Sequence, residues 1–514
     1  MNCRQGLLYC AIHTHKPLTM SALATISKSS FIRGKQCLKS LYLHINEPWL
    51  KDEISEAKQH VFNIGHETGR LAQQLFPGGI DASRGRPQEV KEAVAFTQQL
   101  IAGGQGVIYE AAFSDGETLC YMDLLVKMDG EWQAFEVKAS TAVKDYHLLD
   151  IAFQYHVILQ SGLPLTEISL VHLNKKYVRR GEINIDQLFT VNCLRDHAQS
   201  IQAYVDENLL EMQTMLAAGQ DPDIATGKQC TQPFECDFYG YCHQDEKDDL
   251  FTGLKGIRAT KIERFRSTGT TCFDQVPVGM PLTAKERTVL RGLFENKSQQ
   301  DDDNIRQFLG KLEYPLYFLD FETIMFPVPL YDESRPYQQM PFQYSLHKQE
   351  HPGGELQHHA FLGCPPEDPR PEFIRRLLVE TGTEGSVVVY NKTFEWQRLR
   401  ELARDFPAYA HRLQQLNKRL VDLMEPFRKQ WLYMPGMKGS YSIKRVLPAL
   451  VTGISYSDLE IQEGNAAGLI YGSLYRDPDP ASIRKKRENL LAYCEMDTLG
   501  MVEILKVLNN LLLT

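Results

Sequence analysis

The sequence predicts an α/β (α+β) protein with two separate cores, each a group of strands followed by helices, joined by a helical connector. Three observations lead there. The 514 residues exceed what one core usually organises, since domains mostly hold about 50–250 residues. Strand-like apolar runs gather in two places, near residues 107–139 and 314–390, and runs with helical spacing follow each. Between them Leu250 to Lys311 is polar and is punctuated by Gly253, Gly256, Gly269 and Gly279. The expected divisions are an extension over 1–20, a first domain over 21–245, the connector over 246–312 and a second domain over 313–514.

In chain order, the first twenty residues contain no acid and show no period. They are expected to be a disordered extension, or to precede a true start at Met20. From Thr25 to about Ala72 the pattern is mostly helical, with Ser27 as N-cap ahead of Phe31, Ile32 and Leu38. Strands are expected at Val107 to Phe113, Leu119 to Met128 and Trp132 to Ala139, then an amphipathic helix from about Val143 to Gln160 that Gly162 and Pro164 end. Ile168 to Leu173 reads as a buried strand. In the connector, Asp301, Asp302 and Asp303 read as a solvated helix start. The second core opens with the strand Leu316 to Thr323. Phe342 to Lys348 and Leu356 to Leu362 are its expected antiparallel neighbours, Ser386 to Tyr390 is a further buried strand, and a long helix closes the chain from about Pro480.

Hydrophobic residues make up 43% of the chain, which suits ordinary buried cores. The formal charge of −9 argues against nucleic-acid binding by sheer net charge, so phosphate contacts would have to come from local basic grooves. No uncharged apolar run is long enough to span a bilayer, so no membrane partner is expected. The eleven cysteines are odd in number and follow no secretory signal, which points to a reducing cytoplasm and to metal binding where they cluster.

The first chemical constellation runs from Tyr121 to Lys138. Asp129-Gly130 between two apolar runs signals a two-residue hairpin. That turn pairs Met128 with Glu131 and sets Asp123 opposite Glu136, with Lys138 on the same face. Opposed carboxylates about 5 Å apart repel unless a divalent cation lies between them. Lys138 would then orient or deprotonate the attacking water, or steady the phosphate, and Glu110 on the preceding strand would add a ligand. The competing reading is an exposed salt-bridged face.

The stretch Ser27-Lys-Ser-Ser-Phe-Ile-Arg-Gly-Lys-Gln-Cys37-Leu-Lys-Ser-Leu-Tyr-Leu resembles the opening of RecB-like nucleases of the PD-(D/E)xK superfamily that carry an iron–sulfur cluster, among them the CRISPR-adaptation nucleases and exonuclease V. The resemblance implies one early cysteine, Cys37, and three late ones, Cys230, Cys236 and Cys242, around a [4Fe–4S] cluster that clips the N-terminal helix to the end of the domain. A Cys₄ zinc site is the competing occupant. It also implies a near-site glutamine, Gln154, on the helix after Lys138; the tyrosine often found four residues later is here Ile158. His66 or Glu67 would match the family's early His or Glu.

The second constellation is spread over the C-terminal part. Asp320 and Glu322 are two apart on a strand and face one way. Two carboxylates on an otherwise apolar strand are costly without a cation. Tyr493 and Asp497 are four apart on a helix. Between them, Val387-Val-Val-Tyr-Asn391-Lys-Thr-Phe-Glu395 is a buried strand entering a helix. This ordered set resembles the DEDD (DnaQ-like) 3′–5′ exonucleases of the RNase H-like fold, over roughly Leu312 to Thr514. The resemblance implies that Asp320, Glu322 and Asp497 hold two Mg²⁺ or Mn²⁺ ions and that Tyr493 positions the water. Glu395 stands where the family usually has aspartate, with Asp422 the alternative source of the fourth carboxylate.

Together with Pro336-Tyr-Gln-Gln-Met-Pro-Phe-Gln-Tyr-Ser-Leu-His347 and Gly439-Ser-Tyr-Ser-Ile-Lys444, the whole looks like a bacterial family in which an iron–sulfur RecB-like nuclease is fused to a DEDD-type domain. The expectation is a metal-dependent nuclease acting on nucleic acid, DNA in preference to RNA. The alternatives are a protein with one active site or a nucleic-acid-binding scaffold. Lys175, Lys176, Arg179, Arg180 and Arg484 to Arg487 would track phosphates or form solvated faces.

Overall fold

The computed structural model describes residues 25–83, 90–244, 248–454, 456, 459–461 and 464–513. The extension expected over residues 1–20 lies outside them. The chain divides into two compact units: Met1–Ile54, Glu67–His172 and Phe189–Asp245 in one, Ser55–His66, Leu173–Leu188 and Glu246–Thr514 in the other.

The first unit is a seven-stranded mixed sheet with helices. Its strands are β1 (Ile26–Ser27), β2 (Ile80–Asp81), β3 (Val107–Ser114), β4 (Thr118–Met128), β5 (Glu131–Lys138), β6 (Leu165–Leu173) and β7 (Phe189–Cys193), ordered β2-β3-β4-β5-β6-β7 with β1 beside β4. The β4–β5 hairpin has the predicted register, with Met128 opposite Glu131. Asp129 and Gly130 both take positive φ, 51° and 87°, the mirror-image turn whose twist suits two adjoining strands. β5 and β6 are parallel, so a crossover is required, and the helix Asp145–Gln160 supplies it.

That helix differs from the amphipathic one expected. Every residue from Asp150 to Ile158 is buried, because Phe31 stacks on Phe153 at 4.8 Å and Val205, Leu209 and Met212 belong to the same core cluster. Its polar side chains Asp150 and Gln154 are buried with the rest, so the helix shows no solvent-facing polar stripe there. The N-terminal helix Lys28–Gln36 starts as predicted, with the Ser27 side chain accepting from the Ser30 amide.

The second unit holds a five-stranded sheet of β9 (Leu316–Met325), β10 (Gln339–Gln349), β11 (Leu356–Leu362), β12 (Ser386–Val389) and β13 (Leu420–Asp422), ordered β11-β10-β9-β12-β13; β8 (Gln299–Gln300) and β14 (Leu432–Tyr433) form a separate pair. β10 is antiparallel to both its neighbours, while β12 is parallel to β9 and to β13. Alternation along β9 builds two cores. Tyr317, Leu319 and Phe321 pack with Phe373, Leu377, Leu399 and Leu413 on one side. Phe318 and Ile324 pack with Tyr471, Leu490, Met501 and Leu505 on the other. Asp320 and Glu322 stand at the two positions between Phe318 and Ile324, so they point toward the side of the final helix Pro480–Leu511.

The segment 246–312 is no free-standing connector. Phe251, Leu254, Phe265, Val289 and Phe308 belong to the same apolar cluster as Phe318 and Val388. Its acidic triplet does begin a helix, Asp302–Leu309, capped by Asp301.

Candidate functional site

The first unit brings four carboxylates and two lysines together. Tyr109 pairs with Leu124 and Ala111 with Met122, which sets Glu110 opposite Asp123 across β3 and β4. Leu124 pairs with Phe135, the last rung on that side, which sets Asp123 toward Glu136. The strands part at this row. Glu110 takes a φ of 51°, and the Val137 amide, released from the ladder, donates to Asp123 Oδ2 at 2.6 Å. Lys138 shares the face of Glu136 as predicted, its Nζ 2.6 Å from Glu136 Oε1.

The site is partly to fully buried, which replaces the alternative of an exposed salt-bridged face: Glu136 is only 1% exposed, and Glu110, Asp123 and Lys138 are partly buried. Two residues that sequence reasoning missed complete it. Lys28 Nζ donates to Glu136 Oε1 at 2.7 Å, and Asp150 accepts from Lys138 and from Gln154 Nε2 at 3.0 Å. Gln154 thus reaches the site through Asp150. Lys28 lies inside the quoted N-terminal stretch, but only the fold shows that its amine meets a residue 108 positions away.

Charge balance divides the carboxylates in two. Burial works against ionisation of Glu136, yet Lys138 and Lys28 prevail and hold it at about 2. Burial also opposes the charge of Lys138, but Asp150 and Glu136 raise its pKa above the usual lysine value, so it stays cationic. A cationic amine at Lys138 is the form that steadies a phosphate or orients a water. Burial, reinforced by Glu136, pushes Asp123 well up. Burial also raises Glu110, against the pull of Lys28. With two lysines matched to Glu136 and Asp150, Asp123 and Glu110 are left in excess, the charge one divalent cation would balance. Glu136 Oε2 is buried without a hydrogen-bond partner. His66 and Glu67 are exposed on the helix Glu56–Ala72.

Cys37, Cys230, Cys236 and Cys242 line one cavity, together with Lys39, Ser40 and Phe238. Cys37 sits at the joint between the helices Lys28–Gln36 and Leu38–Asn46. Cys230 ends a short turn, Cys236 donates its amide to the Cys230 carbonyl at 2.9 Å, and Cys242 lies in the helix Tyr239–His243. Burial raises the Cys37 and Cys242 thiols, and each is raised further by Cys230 and Cys236. Gln36 Nε2 clasps the late loop by donating to the Gln229 and Phe234 carbonyls, both at 2.7 Å. The donor set and the enclosed space fit a thiolate-held metal group.

In the second unit, ligand oxygens of Asp320, Glu322 and Asp497 lie within 4.8 Å of one another. Glu395 is buried, its Oε2 has no hydrogen-bond partner, and burial followed by Asp320 raises its carboxyl well above the usual range. Asp422, the alternative, instead accepts from the Asn391 and Met424 amides, both at 3.1 Å, and so holds the turn that starts the helix Lys392–Asp405. Burial likewise lifts Asp320, which Asp497 raises further, and Glu322, which Asp320 raises further. Asp497 is pushed up to about 6 by burial, against the Tyr456 hydroxyl that donates to it at 2.6 Å and against Lys444. Lys444 lies 5.3 Å over the Tyr493 ring.

Sequence reasoning placed Tyr493 here but not Tyr456 or Lys444 as members; the Gly439–Lys444 motif was the available signal. Four carboxylates against Lys444 leave three negative charges. Two divalent cations and one phosphodiester would bring that to zero.

The suggested basic tracks are mostly committed elsewhere. Arg179 donates to the Pro329 and Leu330 carbonyls, Arg180 pairs with Glu333, Lys486 with Asp477, and Arg487 donates to the Gly363 carbonyl. A groove on the second unit is lined by Lys392, Trp396, Arg400, Arg404 and Lys418, of which Lys392 donates to the Leu420 carbonyl and Arg404 pairs with Asp405. No helix among the described residues is long and apolar enough to cross a membrane.

Residues 317–442 match a family model described as a domain of unknown function, DUF2779. This stretch carries Asp320, Glu322 and Glu395 and ends before Tyr493 and Asp497. The chain is 28% identical over 269 residues to the uncharacterized protein MG366 homolog of Mycoplasma pneumoniae, covering 49% of this chain and 39% of that protein. It is 28% identical over 195 residues to the uncharacterized protein UU173 of Ureaplasma parvum, covering 34% and 28%. It is 27% identical over 228 residues to the uncharacterized protein MG366 of Mycoplasma genitalium, covering 40% and 33%. The alignments thus span 28% to 39% of these relatives' own lengths. No solved structure matches.

Proposed function

We propose that this chain is a metal-dependent nuclease of the cytoplasm that hydrolyses phosphodiester bonds, in DNA in preference to RNA, at two sites. The observation that carries the reading is the buried group Asp320, Glu322 and Asp497, closed to within 4.8 Å beside the unpartnered Glu395. Buried carboxylates at that spacing are stable when cations hold them. Two Mg²⁺ or Mn²⁺ ions there would supply an activated water and a clamp on the leaving oxygen. Asp320, Glu322, Glu395 and Asp497 hold the charge in place, and Tyr493 orients the attacking side. A central strand flanked by an antiparallel pair and a parallel pair supports the DEDD-type, RNase H-like reading. The groove of Lys392, Trp396, Arg400 and Lys418 offers phosphate contacts and a stacking surface, the combination single strands use.

In the first unit, the row Glu110, Asp123 and Glu136 with Lys138 supports the RecB-like reading, with one divalent cation bound at Asp123 and Glu136. Four thiols spaced around a cavity, rather than closed on a point, suit a [4Fe–4S] cube that ties the helix pair at Cys37 to the Cys230–Cys242 loop.

The test is anaerobic purification followed by cleavage of end-labelled DNA and RNA in Mg²⁺ or Mn²⁺. Glu322→Gln should remove stepwise trimming from 3′ ends, and Asp123→Ala should remove a second, separable cleavage. Brown protein should lose its visible absorption in Cys236→Ser. Colourless anaerobic protein with stoichiometric zinc would refute the cluster, cleavage unchanged in both carboxylate variants would refute both sites, and no cleavage by the unaltered protein would leave a binding scaffold.

A further inference from the structure

A further group of ligating side chains stands in the second unit and takes no part in the chemistry above. His347 on β10 and His358 on β11 are directly opposed in the strand register, and their rings stack with centroids 4.5 Å apart. Glu495, on the helix Pro480–Leu511, approaches from the side, its Oε1 3.7 Å from His358 Nδ1. Ligand atoms of all three lie within 4.8 Å of one another.

Buried hydroxyls fix the rings. His347 Nδ1 bonds Thr498 Oγ1 at 2.9 Å, His358 Nε2 bonds Ser345 Oγ at 3.0 Å, Ser345 Oγ bonds Thr498 Oγ1 at 2.7 Å, and Thr498 Oγ1 donates to the Glu495 carbonyl at 3.0 Å. One assignment of protons satisfies the whole chain. His358 Nε2–H donates to Ser345, whose hydroxyl donates to Thr498, whose hydroxyl donates to the Glu495 carbonyl, while His347 Nδ1–H also donates to Thr498. The hydroxyls thus hold His347 Nδ1 and His358 Nε2, and leave His347 Nε2 and His358 Nδ1 as the nitrogens open to a ligand role. Metal-bound histidines are oriented in this way, with the second ring nitrogen tied to a fixed partner. His358 Nδ1 and the Glu495 carboxylate oxygen face each other at 3.7 Å, an approach that one ion bound by both would occupy.

We propose that His347, His358 and Glu495 form a site for a divalent transition-metal ion of zinc-like character. Two imidazoles and one carboxylate favour such an ion over Mg²⁺, which prefers oxygen ligands. Three protein ligands leave a further coordination position open to water. The ion would fasten the β10–β11 hairpin to the helix that carries Tyr493 and Asp497. The site stands whether or not the nuclease reading holds.

The test is equilibrium dialysis of chelator-stripped, anaerobic full-length protein against Zn²⁺ in excess Mg²⁺, with bound zinc counted by elemental analysis. His358→Ala and Glu495→Gln alter partly exposed side chains, 30% and 47% exposed, so both variants should fold. Each should hold one zinc per chain fewer than the unaltered protein, and comparison by difference cancels zinc held by the cysteines or the Asp320 group. Thr498→Val should weaken the same equivalent about tenfold by releasing the His347 ring. Zinc should also raise the unfolding midpoint of the second unit in the unaltered protein and not in His358→Ala. Equal zinc content in all the chains, with the His358–Glu495 contact acting only as an ion pair, would overturn the proposal.

Discussion

Replacing Asp497 by asparagine should stabilise the metal-free second unit at neutral and alkaline pH. In the folded protein the Asp497 carboxyl is pushed from 3.8 to about 6, chiefly by burial. Unfolding returns it to water and to its ordinary value. Between these two values the folded state holds the proton more tightly, so stability is complete below about pH 4 and falls as pH rises toward about 6. A rise of about two pH units corresponds to about 3 kcal/mol. Asparagine has the shape of the protonated acid and cannot ionise, and its carbonyl can still accept from Tyr456, which donates to Asp497 Oδ1 at 2.6 Å. The variant should therefore gain about 3 kcal/mol at about pH 8 and nothing at about pH 4. Mn²⁺ should reverse the order, because a cation at 1,000 times its Kd adds about 4.1 kcal/mol to the chain that binds it, more than the asparagine gains. The assay is urea unfolding of chelator-treated protein over a pH series, read on the transition of the second unit. A variant less stable than the parent at about pH 8, or equal stabilisation of both by Mn²⁺, would refute the claim that this carboxylate is buried in wait of a cation.

Three further outcomes are expected. Lys28→Met should destabilise the first unit by about 2 kcal/mol, the size of a lost hydrogen bond to a charged group, because Lys28 donates to the buried Glu136; urea midpoints would show it. That loss should shrink only in strong acid, since Glu136 is held at about 2 and its pairing persists until pH falls through that value. Ser27→Ala should cost about 1 kcal/mol through loss of the N-cap that accepts from the Ser30 amide, again in the first unit's midpoint. Asn391 takes a φ of 77°, so Asn391→Ala should cost about 1 kcal/mol and Asn391→Gly nothing, as thermal midpoints of the second unit would report.

What the sequence made legible follows from range. The β4–β5 register was readable because one turn, Asp129-Gly130, sets every pair after it, and the two-residue alternation of a strand then put Lys138 beside Glu136. Asp320 and Glu322 were readable for the same reason, as two charges on a strand whose neighbours are apolar. The helix Asp145–Gln160 was misread because its pattern reports composition, and only the sheet and helices packed around it show that Asp150 and Gln154 face a site inside the fold rather than water. Lys28, Asp150, Tyr456 and Lys444 escaped because each reaches its partner across loops that no local periodicity constrains. The His347–His358 pair lies between these cases. Both strands were foreseen, but the link between them lacks the two-residue turn that would have fixed their register. Gln349 opposite Leu356 fixes it, and His347 then falls opposite His358 two rungs further on. A strand pair thus hides a side-chain site when its turn is long, and shows one when its turn is short. By that argument Ser345 and Thr498 are informative: hydroxyls from a strand and from a helix far apart in sequence meet only in the fold, and there they hold one nitrogen of each imidazole and leave the other open to a ligand role. Thr498→Val therefore separates a metal site from a simple ion pair, because a His358–Glu495 ion pair needs no ordered His347 ring, whereas a bound ion does.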